Sequence, residues 1–240
     1  MKKTTSIIVL LSGFALAGAS DVRAQSALKG KLFVNVSGAL QATTDTFTTG
    51  NGLTIYGQTA TWTTAETVGR GGLFDVSIGY KVRPDIGVAL GFSSLKSTGA
   101  VAGVAAVPSP IFFNKPTSNS LDTSVARNDR NVYLVVMWFV PIRDNIDVAI
   151  SGGPSFIRVE QELVNDTVIP TGTSTATPNI VSQSGTAKGV NVGVDAAYWF
   201  TKMIGAGLFA RYNGGSVDLM QVTGLKAGGF QIGIGGRFRF

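Results

Sequence analysis

The chain has 240 residues with no cysteine and no histidine, and its formal net charge is +6. Disulfides and thiolate sites are therefore excluded, and the commonest metal ligand and the commonest general base are missing. Charged residues make up only 14% of the chain, against about 25% in soluble domains. A chain without cysteine and histidine is unlike most hydrolases and metalloenzymes. The basic residues are also too scattered for nucleic-acid binding.

The beginning of the chain resembles an export signal in its charge and apolar pattern. Lys2 and Lys3 precede an apolar stretch at 7–17, and small residues follow. Cleavage fits after Ala24 or after Ala19, and Ala24 is favoured because it leaves a polar segment of normal length. The apolar stretch is too short for a membrane-spanning helix, which needs about 20 residues.

Apolar and polar residues alternate along most of the remaining chain, which predicts β-strands with two unlike faces. Phe74, Val76 and Ile78, for example, alternate with Asp75 and Ser77. The alternating segments are residues 32–40, 74–82, 86–93, 146–151, 190–198, 204–212 and 230–240. An eighth segment, 132–140, is apolar throughout, so its facing cannot be read from the sequence.

The connections between these segments alternate in length. The short ones are 83–85, 141–145 and 201–203, and the long ones are about 42–69, 97–128, 163–186 and 213–225. Strands of 9–11 residues that are joined in this way are typical of a membrane barrel. The sequence therefore predicts an all-β protein, an eight-stranded antiparallel up-and-down transmembrane β-barrel. The predicted organisation is a signal peptide at 1–24 and a single barrel domain at 25–240.

A soluble barrel of lipocalin type would also alternate, but with its apolar face inside. Three features favour an apolar exterior. The polar face is rich in Gly, Ala and Ser, which suits a crowded lumen, and each strand carries few charges. Aromatic residues also lie near strand ends on the apolar face, as in an interfacial ring. They are Tyr80, Phe92, Tyr198, Tyr212, Phe238 and Phe240.

The last strand, GGFQIGIGGRFRF at 228–240, resembles the closing strand of bacterial outer-membrane barrels. The whole chain after the signal is similar in architecture to the small eight-stranded OmpA/OmpX/opacity-type barrels. The resemblance implies an outer-membrane location, with lipid, periplasmic chaperones and the barrel-assembly machinery as partners. It also implies an assembly signal that consists of Phe230, Ile232, Ile234, Phe238 and Phe240.

Seven charged residues fall on the polar face, where an unpaired charge would be costly. They are Asp75, Lys81, Asp147, Asp195, Arg211, Arg237 and Arg239. We expect them to form salt-bridge networks in the lumen. These networks could line an ion path or act as a polar plug, and the plug is favoured because an eight-stranded barrel has only enough lumen for side chains.

No motif predicts a cofactor, a metal or catalysis. The string GAGLFA at 205–210 matches a dinucleotide-binding pattern, but it lies within a strand and not between a strand and a helix. Glu160 and Glu162 could form a carboxylate pair, yet residues two apart on a strand are more often solvated. The chain is therefore predicted to be non-enzymatic.

The long connections contain the candidates for surface interaction. The first, Thr43 to Thr67, is rich in Thr and aromatics, which predicts strands beyond the membrane and an exposed edge for strand addition. In the second, an apolar tract at 100–107 leads to Ile111, Phe112 and Phe113, which form a partner or lipid contact, or else fold back over the barrel mouth. Trp62 is a further candidate. The third, 165–186, is predicted to be a mobile loop.

The leading hypothesis is a barrel with a filled polar lumen that contributes to envelope structure and to surface interaction through its loops. The alternative is passage or binding of small hydrophobic solutes, as in OmpW-type barrels. It would use Phe33, Trp199, Phe209 and inward residues of 132–140, either Leu134, Val136 and Trp138 or their neighbours. A soluble periplasmic ligand-binding barrel is a third hypothesis.

Overall fold

The computed structural model describes residues 31–240, so the predicted signal peptide lies outside the described residues. These residues form eleven β-strands in one antiparallel sheet. The strands are β1 (Leu32–Gln41), β2 (Asp45–Ile55), β3 (Gln58–Val68), β4 (Gly71–Lys81), β5 (Ile86–Val107), β6 (Thr117–Ser120), β7 (Thr123–Arg143), β8 (Ile146–Val168), β9 (Thr177–Trp199), β10 (Ile204–Val217) and β11 (Leu225–Arg239). No helix within residues 31–240 is long and apolar enough to span a bilayer.

Eight of these strands close into a ring in the order β1, β4, β5, β7, β8, β9, β10 and β11. The first and last strands complete the ring: Val36 of β1 lies opposite Val76 on one side and opposite Gly236 on the other. Closure leaves no open sheet edge in this part of the molecule, which a spanning sheet requires. The predicted eight-stranded up-and-down barrel is confirmed.

The ring places apolar side chains outside and polar side chains inside. Leu90 is 52% exposed on the outer surface, whereas Asp75 is only 4% exposed in the lumen. Ile232 also faces outward, and Arg237 is buried in the lumen. This polarity is the reverse of that of a soluble barrel and matches a strand that faces lipid.

The uninterrupted apolar segment of β7 follows the same alternation. Leu134, Val136 and Trp138 are exposed on the outer surface, so the hypothesis that these three face the lumen is wrong. Their neighbours face inward: Tyr133, Val135 and Met137 are buried. Both faces of this strand are apolar because the inward side chains pack together in the lumen.

Two rings of outward-facing aromatics delimit the apolar belt. The upper ring, toward the long connections, consists of Phe74, Phe92, Phe156, Tyr212 and Phe230, and the lower ring of Tyr80, Trp138, Tyr198 and Phe238. Phe230 and Phe238 are eight positions apart on β11, which corresponds to about 26 Å along the strand. At a tilt of ~40° the belt is about 20 Å tall, close to the ~25 Å of outer-membrane barrels.

Four strands of the ring continue far past the upper ring. β5, β7, β8 and β9 have 21 to 23 residues each, about twice what a bilayer crossing needs. Together with β2, β3 and β6 they form a β-structure that we call the distal lobe. β3 pairs with the far half of β5, with Trp62 opposite Ala105, and β6 pairs with the end of the same strand.

The long connections therefore contain more strand than the sequence predicts. The expectation of strands within the first connection is met, because β2 and β3 form a hairpin there. The loop bounds at 97–128 and 163–186 are wrong, because strands occupy most of both segments. These segments are rich in Thr, Ser, Val and Ala, and threonine and valine favour strands.

The orientation of the belt predicts the cost of a charge on its surface. We expect Leu134→Arg to lower the free energy of unfolding in lipid vesicles by about 2–4 kcal/mol, because the guanidinium would enter the apolar part of the bilayer. The matched control Thr63→Arg places the same charge on the outer surface of the distal lobe. It should change the free energy of unfolding by less than about 0.5 kcal/mol. Denaturant titration followed by tryptophan fluorescence measures both. Equal effects would contradict the assignment of the belt.

Candidate functional site

The centre of the lumen holds a buried ion pair between opposite walls of the barrel. Arg211 of β10 approaches Asp75 of β4, with 2.6 Å between Nη2 and Oδ2. Tyr133 of β7 donates its hydroxyl hydrogen to the same carboxylate, at 2.9 Å from Oδ2 and 3.1 Å from Oδ1. The guanidinium also lies over the rings of Tyr133 and Phe209, 4.9 and 4.8 Å from their centroids. Three strands are thereby joined across the lumen.

This central cluster extends toward the upper end through two glutamines. Arg211 Nε donates to Gln231 Oε1 at 2.7 Å, and Gln231 Nε2 donates to Gln41 Oε1 at 2.9 Å. Gln41 in turn donates to the backbone carbonyl of Gly69 at 2.8 Å. The chain of hydrogen bonds ends where β3 passes into β4.

A second Arg–Asp pair lies next to the first. Arg237 of β11 donates through Nε to Asp195 Oδ1 at 3.1 Å, and its Nη2 contacts the other carboxylate oxygen. Its Nη1 donates to the hydroxyl of Ser37 at 2.8 Å. A guanidinium that contacts both oxygens of one carboxylate is held in a fixed orientation.

The lower end of the lumen brings together the remaining predicted charges. Arg239 lies 3.5 Å from Asp147, measured from Nη1 to Oδ2, and its guanidinium stacks over Trp199 at 4.0 Å from the ring centroid. Trp199 Nε1 donates to Asp147 at 2.9 Å. Lys81 is placed over the ring of Phe139 at 4.2 Å. All seven predicted lumen charges therefore lie in contact with an opposite charge or an aromatic face.

One buried ion pair was missed by the sequence analysis. Arg127 and Asp129 of β7 form a pair with two 2.9 Å hydrogen bonds, and Arg127 also donates to the carbonyl of Lys226 at 2.8 Å. Arg127 lies within the long connection that the sequence predicts at 97–128, and Asp129 lies between that connection and the strand predicted at 132–140, so the sequence assigns no facing to either residue. Arg127 and Asp129 have opposite charges and lie two positions apart, so they share one face of a strand; this spacing is the signal that could have located the pair.

Glycines on the lumen face make room for the bulky members of these clusters. A Cβ added at Gly91 would collide with the ring of Tyr133, and one added at Gly207 would collide with the guanidinium of Arg237. The excess of glycine on the polar face therefore has a steric cause.

Two small cavities lie among these side chains. A cavity of about 50 Å³ adjoins Asp75, Arg211 and Arg237, and a second of about 30 Å³ adjoins Phe33, Phe139 and Trp199. Each is large enough for a few waters, whereas benzene enters apolar cavities of about 150 Å³.

Two apolar clusters lie above the polar lumen, inside the distal lobe. The first comprises Trp62, Val68, Val101, Ala105, Val107, Leu121, Val125, Val164 and Ala176. The second comprises Ile157, Val159, Leu163, Ala187, Val217, Leu219, Val222, Leu225 and Ala227. We call these two clusters the roof. Phe47 of β2 packs against both, so the roof is mainly apolar, whereas the lumen below it holds the ion pairs.

The roof settles the orientation of two groups of loop residues. Trp62, a candidate for surface interaction, is only 4% exposed and cannot present its ring to a partner. The apolar tract at 100–107 also folds inward through Val101, Ala105 and Val107. Sequence alone could not distinguish these inward residues from surface ones.

A different apolar group is fully accessible at the tip of the distal lobe. Ile111, Phe112 and Phe113 are 81%, 60% and 72% exposed in the connection between β5 and β6. Lys115 lies beside them, 5.7 Å from the centroid of the Phe112 ring. Three consecutive exposed apolar residues are an unusual feature of a water-facing surface.

Glu66 is a buried carboxylate within the distal lobe, outside the membrane-spanning segments. Its Oε1 accepts hydrogen bonds from the Thr49 hydroxyl at 3.3 Å and from the Val164 amide at 3.4 Å. Its Oε2 has no partner among residues 31–240. Burial raises the pKa of Glu66 above its ordinary value of 4.5, and the hydrogen bonds oppose this only in part.

The five residues of the predicted assembly signal lie on the outer face at the end of the chain. Phe230, Ile232 and Ile234 are exposed on β11, and Phe240 is exposed just after it, with Phe238 half-buried. Their role in assembly stays a prediction. Within residues 31–240 no group of three or more acidic side chains could hold a metal ion.

The closed ring, the apolar belt and the charged lumen define a transmembrane β-barrel. Comparison with known proteins gives no matching family model and no matching curated protein. Solved structures do share the fold. OprG, an outer-membrane protein of Pseudomonas aeruginosa, has a TM-score of 0.50 and 10% identity over 88% of this chain and 96% of its own.

Two further structures are similar at lower scores. Neisserial surface protein A has a TM-score of 0.49 and 13% identity, over 87% of this chain and 97% of its own. The outer membrane protease OmpT from Escherichia coli has a TM-score of 0.43 and 11% identity, over 88% and 97%. The resemblance to small outer-membrane barrels is confirmed at the level of the fold.

The central ion pair predicts a non-additive effect of mutation. We expect Asp75→Asn to lower the free energy of unfolding by about 3–5 kcal/mol, because it leaves the buried Arg211 charge without its partner. The double variant Asp75→Asn/Arg211→Gln should recover more than half of that loss. Arg130→Gln, which removes an exposed cation, should cost less than about 1 kcal/mol. A double-mutant cycle with additive losses would contradict the pairing.

The buried carboxylate predicts a pH dependence. The folded chain holds the Glu66 proton more tightly than the unfolded chain does, so the contribution to stability is complete below pH 4.5 and is lost as the pH rises through the folded-state pKa. We expect Glu66→Gln to be more stable than the wild type at pH 8, with a difference that shrinks toward pH 4. Equilibrium unfolding across this range measures it, and a constant difference would refute the assignment.

Proposed function

We propose that the chain is a non-enzymatic bacterial outer-membrane β-barrel that contributes to envelope structure and to surface interaction through its distal lobe. The single observation that carries the proposal is the set of ion pairs in the lumen. Four Arg–Asp pairs cross the lumen or line its wall, and cavities of about 50 and 30 Å³ adjoin three of these pairs.

The roof supports the same conclusion. An ion on its way through the barrel would leave the paired charges and meet the roof, where apolar side chains such as Val159 and Leu163 are fully buried. Transfer of a charge into such a region is expensive without a partner. The lumen charges are therefore better suited to fixing strand register than to conduction.

The charged groups also support a structural role over a catalytic one. Among residues 31–240, each carboxylate in the lumen is bound to a guanidinium or a tyrosine, which leaves no free carboxylate base inside the barrel. Histidine, the commonest general base, does not occur in the chain.

Location and assembly follow from the same surface. The apolar belt with its two aromatic rings suits an outer membrane, and the predicted signal peptide would deliver the chain to the periplasm. By resemblance, Phe240 and its alternating partners on β11 would then be read by the assembly machinery.

Surface interaction is supported by the shape and the tip of the distal lobe. The long strands would raise Ile111, Phe112 and Phe113 well above the membrane, and these side chains are accessible there. A partner or a second lipid surface could bury them. The open edge of β2, which pairs only with β3, is a second contact point.

The alternative function, passage or binding of small hydrophobic solutes, has less support. The inward residues of β7 do make the lumen partly apolar, as that hypothesis requires. However, Tyr133, Val135 and Met137 pack with Phe33 and Ala89 into a continuous cluster. The adjoining cavity of about 30 Å³ is too small for such a solute.

Conductance tests the filled lumen. We expect the refolded chain in planar lipid bilayers to show no single-channel steps above the baseline in 1 M KCl, because the ion pairs and the roof occupy the path. A variant without residues 109–116 removes the exposed connection and should also be silent. Regular steps from the intact chain, retained in the shortened one, would contradict the proposal. Cell fractionation tests the hypothesis of a soluble barrel. That hypothesis predicts that the chain is found in the soluble periplasmic extract, whereas the proposed function predicts that it is found in the membrane fraction.

A further inference from the structure

The outer surface of β7, β8 and β9 carries three cations around one aromatic of the upper ring. Phe156 is exposed at the top of the apolar belt, and Arg158 follows it two positions along β8 on the same face. Lys188 of β9 lies directly opposite Phe156, and Arg130 of β7 lies directly opposite Arg158. The cations therefore begin where the lipid-facing surface ends.

These cations are only partly neutralised by the protein. Arg130 and Arg158 face each other across two neighbouring strands, an arrangement in which like charges repel. Glu160 lies between them, 3.5 Å from Arg158 and 3.9 Å from Arg130. The two arginine side chains are 54% and 61% exposed. Glu160 contacts two of the three cations, so the patch formed by Arg130, Arg158, Lys188 and Glu160 keeps a net positive charge that can bind an anion.

The surface below and above this patch defines the rest of the ligand. Below it, Val132, Pro154 and Val190 present an exposed apolar surface at the level of lipid chains. Above it, a groove of about 420 Å³ runs over the outer face of β5, β7, β8 and β9. Its lining includes Asn128, Glu160, Glu162 and Ser182, whose amide, carboxylate and hydroxyl groups suit the hydroxyls of a sugar.

We propose that this face binds a phosphate-bearing glycolipid of the outer leaflet. Its acyl chains lie on Val132 and Val190, its phosphate contacts Arg130, Arg158 and Lys188, and its sugar enters the groove. Guanidinium groups bind phosphate with paired hydrogen bonds, and cations beside a membrane surface attract anionic headgroups. The inference rests on the proposed function, because it requires that the belt lies in a membrane.

Binding in detergent micelles tests the proposal. Native mass spectrometry would compare the refolded chain with the variant Arg130→Ser/Arg158→Ser/Lys188→Ser, with bisphosphorylated lipid A as the probe. We expect the apparent affinity to fall at least tenfold in the variant. The control Arg83→Ser/Arg143→Ser/Lys202→Ser removes three cations from the opposite rim and should bind as the wild type does.

Further probes identify which part of the ligand is recognised. Phosphatidylglycerol offers a phosphate and acyl chains without the sugar, and it should bind more weakly than lipid A. Inorganic phosphate should not compete at millimolar concentration, because it lacks the acyl chains. Equal affinity for lipid A in both triple variants would overturn the proposal. So would tight binding of inorganic phosphate, or equal binding of phosphatidylglycerol.

The failure of this proposal can be distinguished from the failure of the proposed function. If the chain is not a membrane barrel, the wild type and both variants will fail to refold into micelles with heat-modifiable gel mobility. If only the lipid site is wrong, all three will refold in this way, and the two triple variants will bind lipid A equally.

Discussion

The absence of water inside a bilayer dictates the form of this molecule. A backbone amide in hydrocarbon must find its partner within the protein, and a sheet achieves this only when it has no edge. The pairing of β1 with both β4 and β11 provides that closure. Once the ring is closed, every strand must present one face to lipid and the other to a narrow interior. The belt, the lumen and the excess of glycine all follow from that division.

Beyond the upper ring the same strands meet water, and the polarity of the interior changes. Within the bilayer the lumen holds Asp75, Arg211 and Arg237, whereas in the distal lobe the interior holds Trp62 and Leu163. The outer face changes in the opposite sense, from valine and leucine to threonine, serine and charge. A soluble β-structure and a membrane barrel are thus built on continuous strands, and the upper aromatic ring lies where one passes into the other.

This change explains how far the sequence could predict the structure. Alternation with large apolar residues identified seven strands of the ring and their facing, and an uninterrupted apolar run identified the eighth strand. In the distal lobe the outward residues are small and polar, so the strands there resembled Ser/Thr-rich loops. The 132–140 segment failed for another reason, because both of its faces are apolar and only its partners across the lumen determine which side is outside.

The lumen charges were predictable as a set but not as pairs. The alternation of apolar and polar residues predicted that Asp75 and Arg211 face the lumen. They belong to β4 and β10, however, which are not neighbours in the ring. Their contact depends on the stagger of the strands around the barrel, which cannot be read from the amino-acid sequence. Arg127 and Asp129 were not predicted to face the lumen because the sequence predicts this strand only at 132–140, whereas β7 begins at Thr123.

The treatment of charge differs between the two surfaces of the barrel. In the lumen each arginine of the four ion pairs has its own carboxylate, as a poorly solvated interior requires. On the outside, Arg130 and Arg158 share Glu160 and face each other across the sheet. The closure of the ring does not require this excess of positive charge, since small polar residues would be equally well solvated at this level of the barrel. A positive patch that the fold does not require, directly above a lipid-facing surface, is most simply explained by an anionic ligand at the membrane boundary.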